Sequence, residues 1–401
     1  MVASMSRRPY ALKTGGSKLN DADNAGVDES LHDRDFTGGG ILALPDDYRG
    51  STGNKRLDAQ LNEIVSEWAC EDSCNSLVRE MIITALKVGR DNTGPGDMKL
   101  INRAMKEMRE SNEMFKPYRN HRKVVCYGSA RTHSHLPAYR SAVTFAAKMR
   151  DKGWMAITGA GDGIMGGAQL GAGREHSFGL NIDLPFEQSA NETIRDDEKL
   201  VTFNYFFTRK LSFVKEGDAF VLFPGGFGTM DEGFEILTLI QTGKAAIQPV
   251  ILLDEPGGTY WKTFERFIKE HLLQGELISP EDMSLFTVTD SVEDAVDQVL
   301  RFYTNFHSYR FCRERMSIRM HHELHDEAVE EINKRFSDLL VDGEFTKGGP
   351  LIPEQTEKGL EKLPRLICKP HRNRFGRWRE LIDFINVAKL ADTVPAEVKA
   401  S

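Results

Sequence analysis

The chain has 401 residues, of which 40% are hydrophobic and 28% are charged, and this is the composition of a folded protein of about two to three domains. The net charge of −8 argues against nucleic acid or an anionic membrane as the main partner. A local basic pocket can still hold one phosphate, so a nucleotide ligand is not excluded.

Cysteine usage and the absence of targeting signals point to a cytoplasmic protein. The five cysteines are an odd number and suggest no disulfide framework. Cys70 and Cys74 have C-x3-C spacing, but no second Cys/His pair accompanies them, so we expect no metal site. No apolar segment follows Arg7 and Arg8 as in a secretory signal, and no apolar run is long enough for a membrane helix.

Composition and periodicity divide the chain into four segments. Residues 1–50 are rich in Gly, Ser, Asp and Asn and are interpreted as a flexible N-terminal arm. Residues 51–121 repeat apolar positions every three or four residues, which predicts a helical preface. Residues 122–305 form the predicted core. Residues 306–401, rich in Arg, His and Glu at their start, are interpreted as a helical C-terminal extension.

The core alternates short apolar runs with helical stretches. This alternation predicts βαβ units, and therefore a doubly wound parallel sheet of the Rossmann-like α/β class with helical flanks. The predicted strands lie at residues 124–127, 154–158, 179–182, 200–203, 219–223 and 250–253.

Three glycine-containing loops follow predicted strands, where open α/β sheets bind ligands. They are GSAR at 128–131, TGAGDGIMG at 158–166 and PGGFGTMDE at 224–232. Loops of this kind can present backbone amides to a phosphate at a helix N-terminus. None has the dinucleotide fingerprint or the P-loop lysine, so a mononucleotide is the expected ligand rather than a nicotinamide cofactor.

The third loop matches P-G-G-x-G-T-x-x-E, the signature of the Lonely Guy family, whose members are often mislabelled lysine decarboxylases. Arg209-Lys210 followed by Asp218-Ala219-Phe220 resembles the segment that leads into this loop in the family. The resemblance also includes the first two loops, LPFEQ at 184–188 and QTGK at 241–244, and it covers the predicted core but neither flank. One departure is Gly166, where many longer relatives carry Glu.

The resemblance implies a phosphoribohydrolase that releases the base from a nucleoside 5′-monophosphate, either a purine nucleotide such as AMP or a cytokinin riboside 5′-monophosphate. The family's catalytic arginine and glutamate fall on Arg209 and Glu232. The resemblance also implies at least a homodimer, with the sites near the subunit interface. The predicted substrate- and phosphate-binding residues are Gly128, Ser129, Arg131, Gly159, Gly161, Lys210, Gly225, Gly226, Gly228 and Thr229.

These residue types suit the cleavage of a ribosyl C1′–N bond, which passes through an oxocarbenium-like state. A carboxylate at Glu232 can stabilise the cationic sugar and activate water. Arg209 stays protonated, so it can hold phosphate, orient Glu232 or stabilise charge on the departing base, but it cannot act as a base. The reaction requires no cofactor and no metal.

Several other interpretations remain open at this stage. Arg209 and Lys210 can be a solvated helix face, and Glu232 can merely favour a helix N-terminus. A nucleotide sensor without turnover is the main alternative function, whereas a pyridoxal-phosphate decarboxylase needs a Schiff-base lysine to which nothing here points.

Two further patterns lie in the C-terminal segment. His321 and His325 are expected on one face of a surface helix, because their spacing does not match the zinc motif H-E-x-x-H. Arg313, Arg315 and Arg319 form a basic stripe, which is either solvated or paired with acidic neighbours, or else an effector site for a phosphorylated regulator.

Overall fold

The computed structural model describes residues 51–68, 72–91, 94–185, 189–355, 357 and 359–391. The predicted N-terminal arm, Cys70 and residues 186–188 of the LPFEQ segment lie outside these ranges. No helix in the described ranges is long and apolar enough to cross a membrane.

The described residues form helices and strands in the following order along the chain. The helices are α1 (Lys55–Trp68), α2 (Asp72–Arg90), α3 (Pro95–Phe115), α4 (Pro137–Asp151), α5 (Ile164–Ala172), α6 (Phe206–Glu216), α7 (Phe227–Gln241), α8 (Tyr260–Phe267), α9 (Val292–Phe302), α10 (Asp326–Phe336) and α11 (Phe375–Ile385). The strands are β1 (Lys123–Tyr127), β2 (Met155–Thr158), β3 (Ser177–Ile182), β4 (Leu200–Phe203), β5 (Ala219–Leu222), β6 (Val250–Leu253), β7 (Thr287–Thr289), β8 (Phe306–Cys312), β9 (Arg315–Met320), β10 (Leu340–Gly348) and β11 (Arg365–Pro370).

The first seven strands form one parallel sheet in the order β4-β3-β2-β1-β5-β6-β7, which confirms the doubly wound α/β fold. Helices cover both faces, so successive residues of a central strand are all buried. Val124 and Cys126 of β1 pack with α4, α5 and α9, whereas Val125 and Tyr127 pack on the opposite face with α6, α7 and α8. Strands buried on both faces have continuous apolar sequences, and this is why the core strands were recognisable.

The strand order reverses between β1 and β5, which are adjacent parallel strands with Tyr127 opposite Leu222. At such a switch point the loops after the two strands diverge and leave a crevice at the carboxyl edge of the sheet. The first and third glycine-containing loops follow these two strands, and the second follows β2, the other neighbour of β1.

The segment before the sheet consists of α1, α2 and α3. Helix α3 packs against α6 and β4, and its Phe115 is fully buried against Phe178 of β3, with 4.6 Å between the ring centroids. The helical preface therefore contacts the core on the side that carries α6.

The prediction of a helical C-terminal extension is wrong, because the described part of this segment contains four strands besides α10 and α11. Residues 306–320 form the hairpin β8–β9, which joins β11 and β10 in a four-stranded antiparallel sheet packed with α10 and α11. Met316, Ile318 and Met320 alternate with Ser317 and Arg319 at the period of two that marks a strand, and the sequence interpretation overlooked this pattern.

The structure contradicts the expected helical face of His321 and His325, whereas for the arginine stripe it shows pairing with an acidic partner at Arg319. His321 follows β9, and His325 is the N-cap of α10, where its side chain accepts a hydrogen bond from the backbone N–H of Glu327, so the two do not share a helical face. Arg313 is exposed in the hairpin turn. Arg319 is instead buried and ion-paired with Glu354, at 2.7 Å, so the stripe is not a continuous basic surface.

Candidate active site

The three glycine-containing loops meet at the carboxyl edge of the parallel sheet. The backbone N–H of Ser129 in the first loop donates to the carbonyl oxygen of Pro224 in the third, at 3.3 Å. The backbone N–H of Ile164, in the second loop, donates to the carbonyl oxygen of Ser129, at 3.0 Å. Main-chain hydrogen bonds therefore fix the relative positions of all three loops.

Two glycines make this close approach possible. Gly163 has φ +60°, and a Cβ there would lie 2.3 Å from the carbonyl oxygen of Ser129. A Cβ on Gly225 would lie 2.1 Å from Oγ1 of Thr229 and 3.0 Å from the backbone nitrogen of Ser129. A side chain at either position would force the loops apart.

Arg209 lies in the first turns of α6 and reaches across the carboxyl ends of β3 and β2. Its Nε donates to the carbonyl oxygen of Leu180 at 2.7 Å, and its guanidinium lies 5.3 Å from the ring centroid of Phe213. Its Nη2 passes so close to Gly159 that a Cβ there would be 2.3 Å away. The second loop therefore shapes the space that the guanidinium occupies.

Glu232 lies in the second turn of α7 and is half-buried. Burial raises the pKa of its carboxyl from 4.5 to about 7, because the charged form loses hydration. The positive charges of Arg209 and Lys210 lower this pKa, and the negative charges of Glu235 and Asp231 raise it. The result is a carboxyl that changes its charge close to neutral pH, as a general base requires.

Lys210 ties α6 to α7 by ion pairs. Its Nζ lies 2.7 Å from Oδ2 of Asp231 and 3.1 Å from Oε2 of Glu235, and its side chain is mostly buried. Since Lys210 already faces two carboxylates, it holds the helices of Arg209 and Glu232 together and supplies positive charge near Glu232. Its predicted contact with a substrate phosphate stays a prediction.

The N-terminus of α7 is suited to bind an anion. Its N-cap is Gly226, which brings no side chain to the first free amides of the helix. Around Gly226 and Gly228 no described atom lies within 4 Å of the position that a Cβ would take, so the loop is open to a ligand. Thr229 is buried beneath Gly225, whose carbonyl oxygen accepts a hydrogen bond from the Tyr260 hydroxyl at 2.5 Å.

The structure thus places the predicted glycines, Ser129 and Thr229 around one edge of the sheet with Arg209 and Glu232. Gly128 packs against Ile164, and Gly161 lies against the side chain of Met165. The Arg131 side chain is exposed, and its backbone N–H donates to Oγ of Ser129 at 3.1 Å.

Sequence reasoning missed Tyr127, the last residue of β1. Burial and the negative charge of Glu232 raise the pKa of its phenol well above the usual value, so the hydroxyl stays protonated near the carboxylate. The position of a polar aromatic residue at the carboxyl end of a central strand was the available signal.

Comparison with known proteins agrees with the sequence motifs. A family model described as "Possible lysine decarboxylase" matches residues 163–299. A cytokinin riboside 5′-monophosphate phosphoribohydrolase of Mycobacterium tuberculosis is 29% identical over 178 residues, which are 43% of this chain and 89% of that protein. A probable enzyme of the same name from Oryza sativa subsp. japonica is 31% identical over 99 residues, which are 25% of this chain and 44% of the relative.

Among solved structures, the molybdenum cofactor carrier protein of Chlamydomonas reinhardtii is 21% identical with a TM-score of 0.30, over 45% of this chain and 98% of that one. The molybdenum cofactor binding protein of Rippkaea orientalis is 20% identical with a TM-score of 0.29, over 44% and 93% of the two chains. Likeness at this level says nothing about ligand or activity. The family model and the curated relatives agree with the motif at 224–232: the α/β core of this chain is similar to proteins of the Lonely Guy family.

Proposed function

We propose that the protein hydrolyses the N-glycosidic bond of a nucleoside 5′-monophosphate and releases the free base and ribose 5-phosphate. The observation that carries this proposal is the Glu232 carboxyl, whose pKa is about 7, set near Arg209 at the switch point of the sheet. The names of the curated relatives support the same reaction class.

The 5′-phosphate binds at the N-terminus of α7, where the N-cap Gly226 carries no side chain and no described atom lies within 4 Å of the position that its Cβ would take. Ser129 and Arg131 of the first loop flank this position and contribute polar contacts. Phosphate binding fixes the ribose relative to Glu232, so binding energy from a remote group orients the reacting carbon.

In the chemical step the bond between C1′ and the base nitrogen breaks as a water oxygen bonds to C1′. The ionised Glu232 stabilises the positive charge on the ribosyl group and accepts a proton from the attacking water. The base leaves with the electron pair of the broken bond and takes up the proton that Glu232 received from water. Arg209 either stabilises the negative charge that develops on the departing base or holds the phosphate. The sum is one nucleotide and one water converted into base and ribose 5-phosphate, without a cofactor.

The proposed substrates are purine nucleotides such as AMP, or cytokinin riboside 5′-monophosphates as in the names of the relatives. Gly166 of the second loop is not required by packing, because a Cβ there would make only ordinary van der Waals contact, with its nearest atom at 3.5 Å.

We also propose that two copies of the chain associate around this site. Phe227, in the third loop at the start of α7, is 95% exposed. Phe206 and Phe207 of α6 and Phe234 of α7 are about half exposed. Apolar rings gathered beside a polar site are typical of a surface that another subunit covers. Phe227→Asp is expected to shift the mass measured by analytical ultracentrifugation towards the monomer.

The activity is tested by incubating the purified protein with AMP, GMP, IMP, CMP, UMP and isopentenyladenosine monophosphate, and resolving the free bases by chromatography. We expect base and ribose 5-phosphate in equal amounts from at least one nucleotide, and none with Glu232→Gln. Glu110→Gln, which changes an exposed carboxylate on α3, is the matched control and keeps wild-type activity. Tight nucleotide binding without release of any base would refute the hydrolase and favour a sensor.

A further inference from the structure

Glu107 of α3 is a fully buried carboxylate that contacts the start of α6. One of its oxygens accepts hydrogen bonds from the backbone N–H of Asn204 at 2.8 Å, from Nδ2 of Asn204 at 3.1 Å and from Nε of Arg103 at 3.0 Å. The other oxygen accepts from the hydroxyl of Thr208 at 2.6 Å. Burial alone would raise the pKa of Glu107, but these hydrogen bonds outweigh it and lower the pKa, so the carboxylate is ionised at neutral pH.

The position of this carboxylate matches what the N-terminus of α6 needs. The side chain of the N-cap residue, Tyr205, makes no capping hydrogen bond within the described part of the chain. Glu107 therefore supplies from another helix a negative charge at this N-terminus, and it holds the first turn through the Thr208 hydroxyl and through Asn204, which precedes the N-cap.

Within one copy of the chain, the two phenylalanines at the start of α6 give its first turn little apolar packing. Phe206 and Phe207 are about half exposed, whereas the later part of the helix is anchored by Phe213, which is fully buried, and by Ser212. Removing the Glu107 contacts would therefore loosen the first turn while the rest of the helix stays packed.

Arg209 directly follows Thr208, and its position is narrowly defined. Its Nε bonds to the carbonyl oxygen of Leu180 at 2.7 Å, and its Nη2 fits against Gly159 without room for a methyl group. A shift of the first turn by about 1 Å is enough to misplace a catalytic group and to cost about 100-fold in rate.

From these contacts we propose that Glu107 is a positioning residue for Arg209, and that the helical preface is thereby a working part of the active site. The inference rests on the proposed function for its effect on catalysis. The hydrogen bond between Glu107 and Thr208 carries this inference. It joins α3, which lies outside the segment matched by the family model (163–299), to α6, the helix of Arg209.

Three variants isolate this role. Glu107→Gln keeps the shape of the side chain but removes its charge and presents an amide to the Asn204 donors. Thr208→Val removes one hydrogen bond to Glu107, and Thr208→Ser, which keeps the hydroxyl, is its control. Glu110→Gln, on the exposed face of the same helix, is the control for Glu107→Gln. Melting temperatures and circular dichroism establish that each variant is folded.

The first readout is kinetic. We expect Glu107→Gln to lower kcat for the best nucleotide by about 10- to 100-fold, and Thr208→Val to lower it less. Because Arg209 lowers the pKa of Glu232, its displacement should also move the acid limb of the kcat profile to higher pH. If the substitution only reduced the amount of active protein, kcat would fall by the same factor at every pH and the acid limb would stay in place. In an Arg209→Lys background the Glu107 effect should largely disappear, because there is no guanidinium left to position.

The second readout does not depend on turnover. The Nε–H group of Arg209 gives an NMR signal that can be assigned by its loss in Arg209→Lys. We expect this signal to shift or broaden in Glu107→Gln and to remain in place in Glu110→Gln. Should wild-type protein release no base while this signal still moves, the proposed function fails and the positioning role stands. The inference is overturned if folded Glu107→Gln leaves both the Arg209 NMR signal and the acid limb of the kcat profile unchanged. If Glu107→Gln does not fold, the same result in folded Thr208→Val overturns it.

Discussion

Replacing Glu232 with Gln should stabilise the protein at alkaline pH while it removes activity. The pKa of this carboxyl is raised from 4.5 to about 7, so the folded protein binds its proton more tightly than the unfolded chain does. The stability that this proton contributes is fully present below about pH 4.5 and is lost as the pH rises through about 7. The corresponding loss of unfolding free energy in the wild type is about 3 kcal/mol, to order of magnitude.

Gln is neutral at every pH and lacks this loss, so the stability difference between Glu232→Gln and the wild type should grow with pH. Most of the growth should fall between about pH 4.5 and pH 7, the two pKa values of this carboxyl in the unfolded and folded chain. It can be measured as unfolding midpoints in denaturant, followed by tryptophan fluorescence at several pH values. Glu110→Gln, with an exposed carboxylate, should give a curve that runs parallel to the wild type. If the Glu232→Gln curve is also parallel to the wild type, the carboxyl does not have a raised pKa and the argument for a general base fails.

Three further outcomes follow from the site geometry. Gly159→Ala places a methyl group 2.3 Å from Nη2 of Arg209 and should lower kcat by about 10- to 100-fold. Gly166→Ala in the same loop, where the nearest atom to the new methyl group is at 3.5 Å, should lower kcat far less. Equal losses of kcat would contradict the assigned position of Arg209. The wild-type kcat should rise with pH through about 7 and then level off, because Glu232 acts in its ionised form, and a falling profile over this range would assign it the role of an acid. Lys210→Gln removes a positive charge that lowers the pKa of Glu232, so the rising limb should move to higher pH; a limb that stays in place would show that Lys210 does not act on the carboxyl.

The parallel core could be predicted because each of its strands and loops leaves a recognisable pattern in a few consecutive residues. Strands such as Val250–Leu253 are buried on both faces and are therefore continuously apolar, and glycines mark the loops that follow them. The third loop was recognisable as a motif, and the structure places its Glu232 beside the charges of the neighbouring helix.

The C-terminal sheet and the support of Arg209 could not be predicted, because they depend on partners distant in the chain. Arg319 looks like a surface residue in the sequence and is buried only because Glu354 neutralises it. Glu107 looks like any helical glutamate, and its partners Asn204 and Thr208 lie about a hundred residues further along the chain. No local pattern reports such contacts.

The central claim is that this site cleaves the glycosidic bond of a nucleotide, and a time course with AMP tests it most directly. Wild-type protein should release adenine and ribose 5-phosphate in a one-to-one ratio, and Glu232→Gln should bind AMP but release neither. If wild-type protein binds AMP and releases no adenine, or if Glu232→Gln releases it at the wild-type rate, the assignment of this site as a glycosidase centre for AMP is wrong.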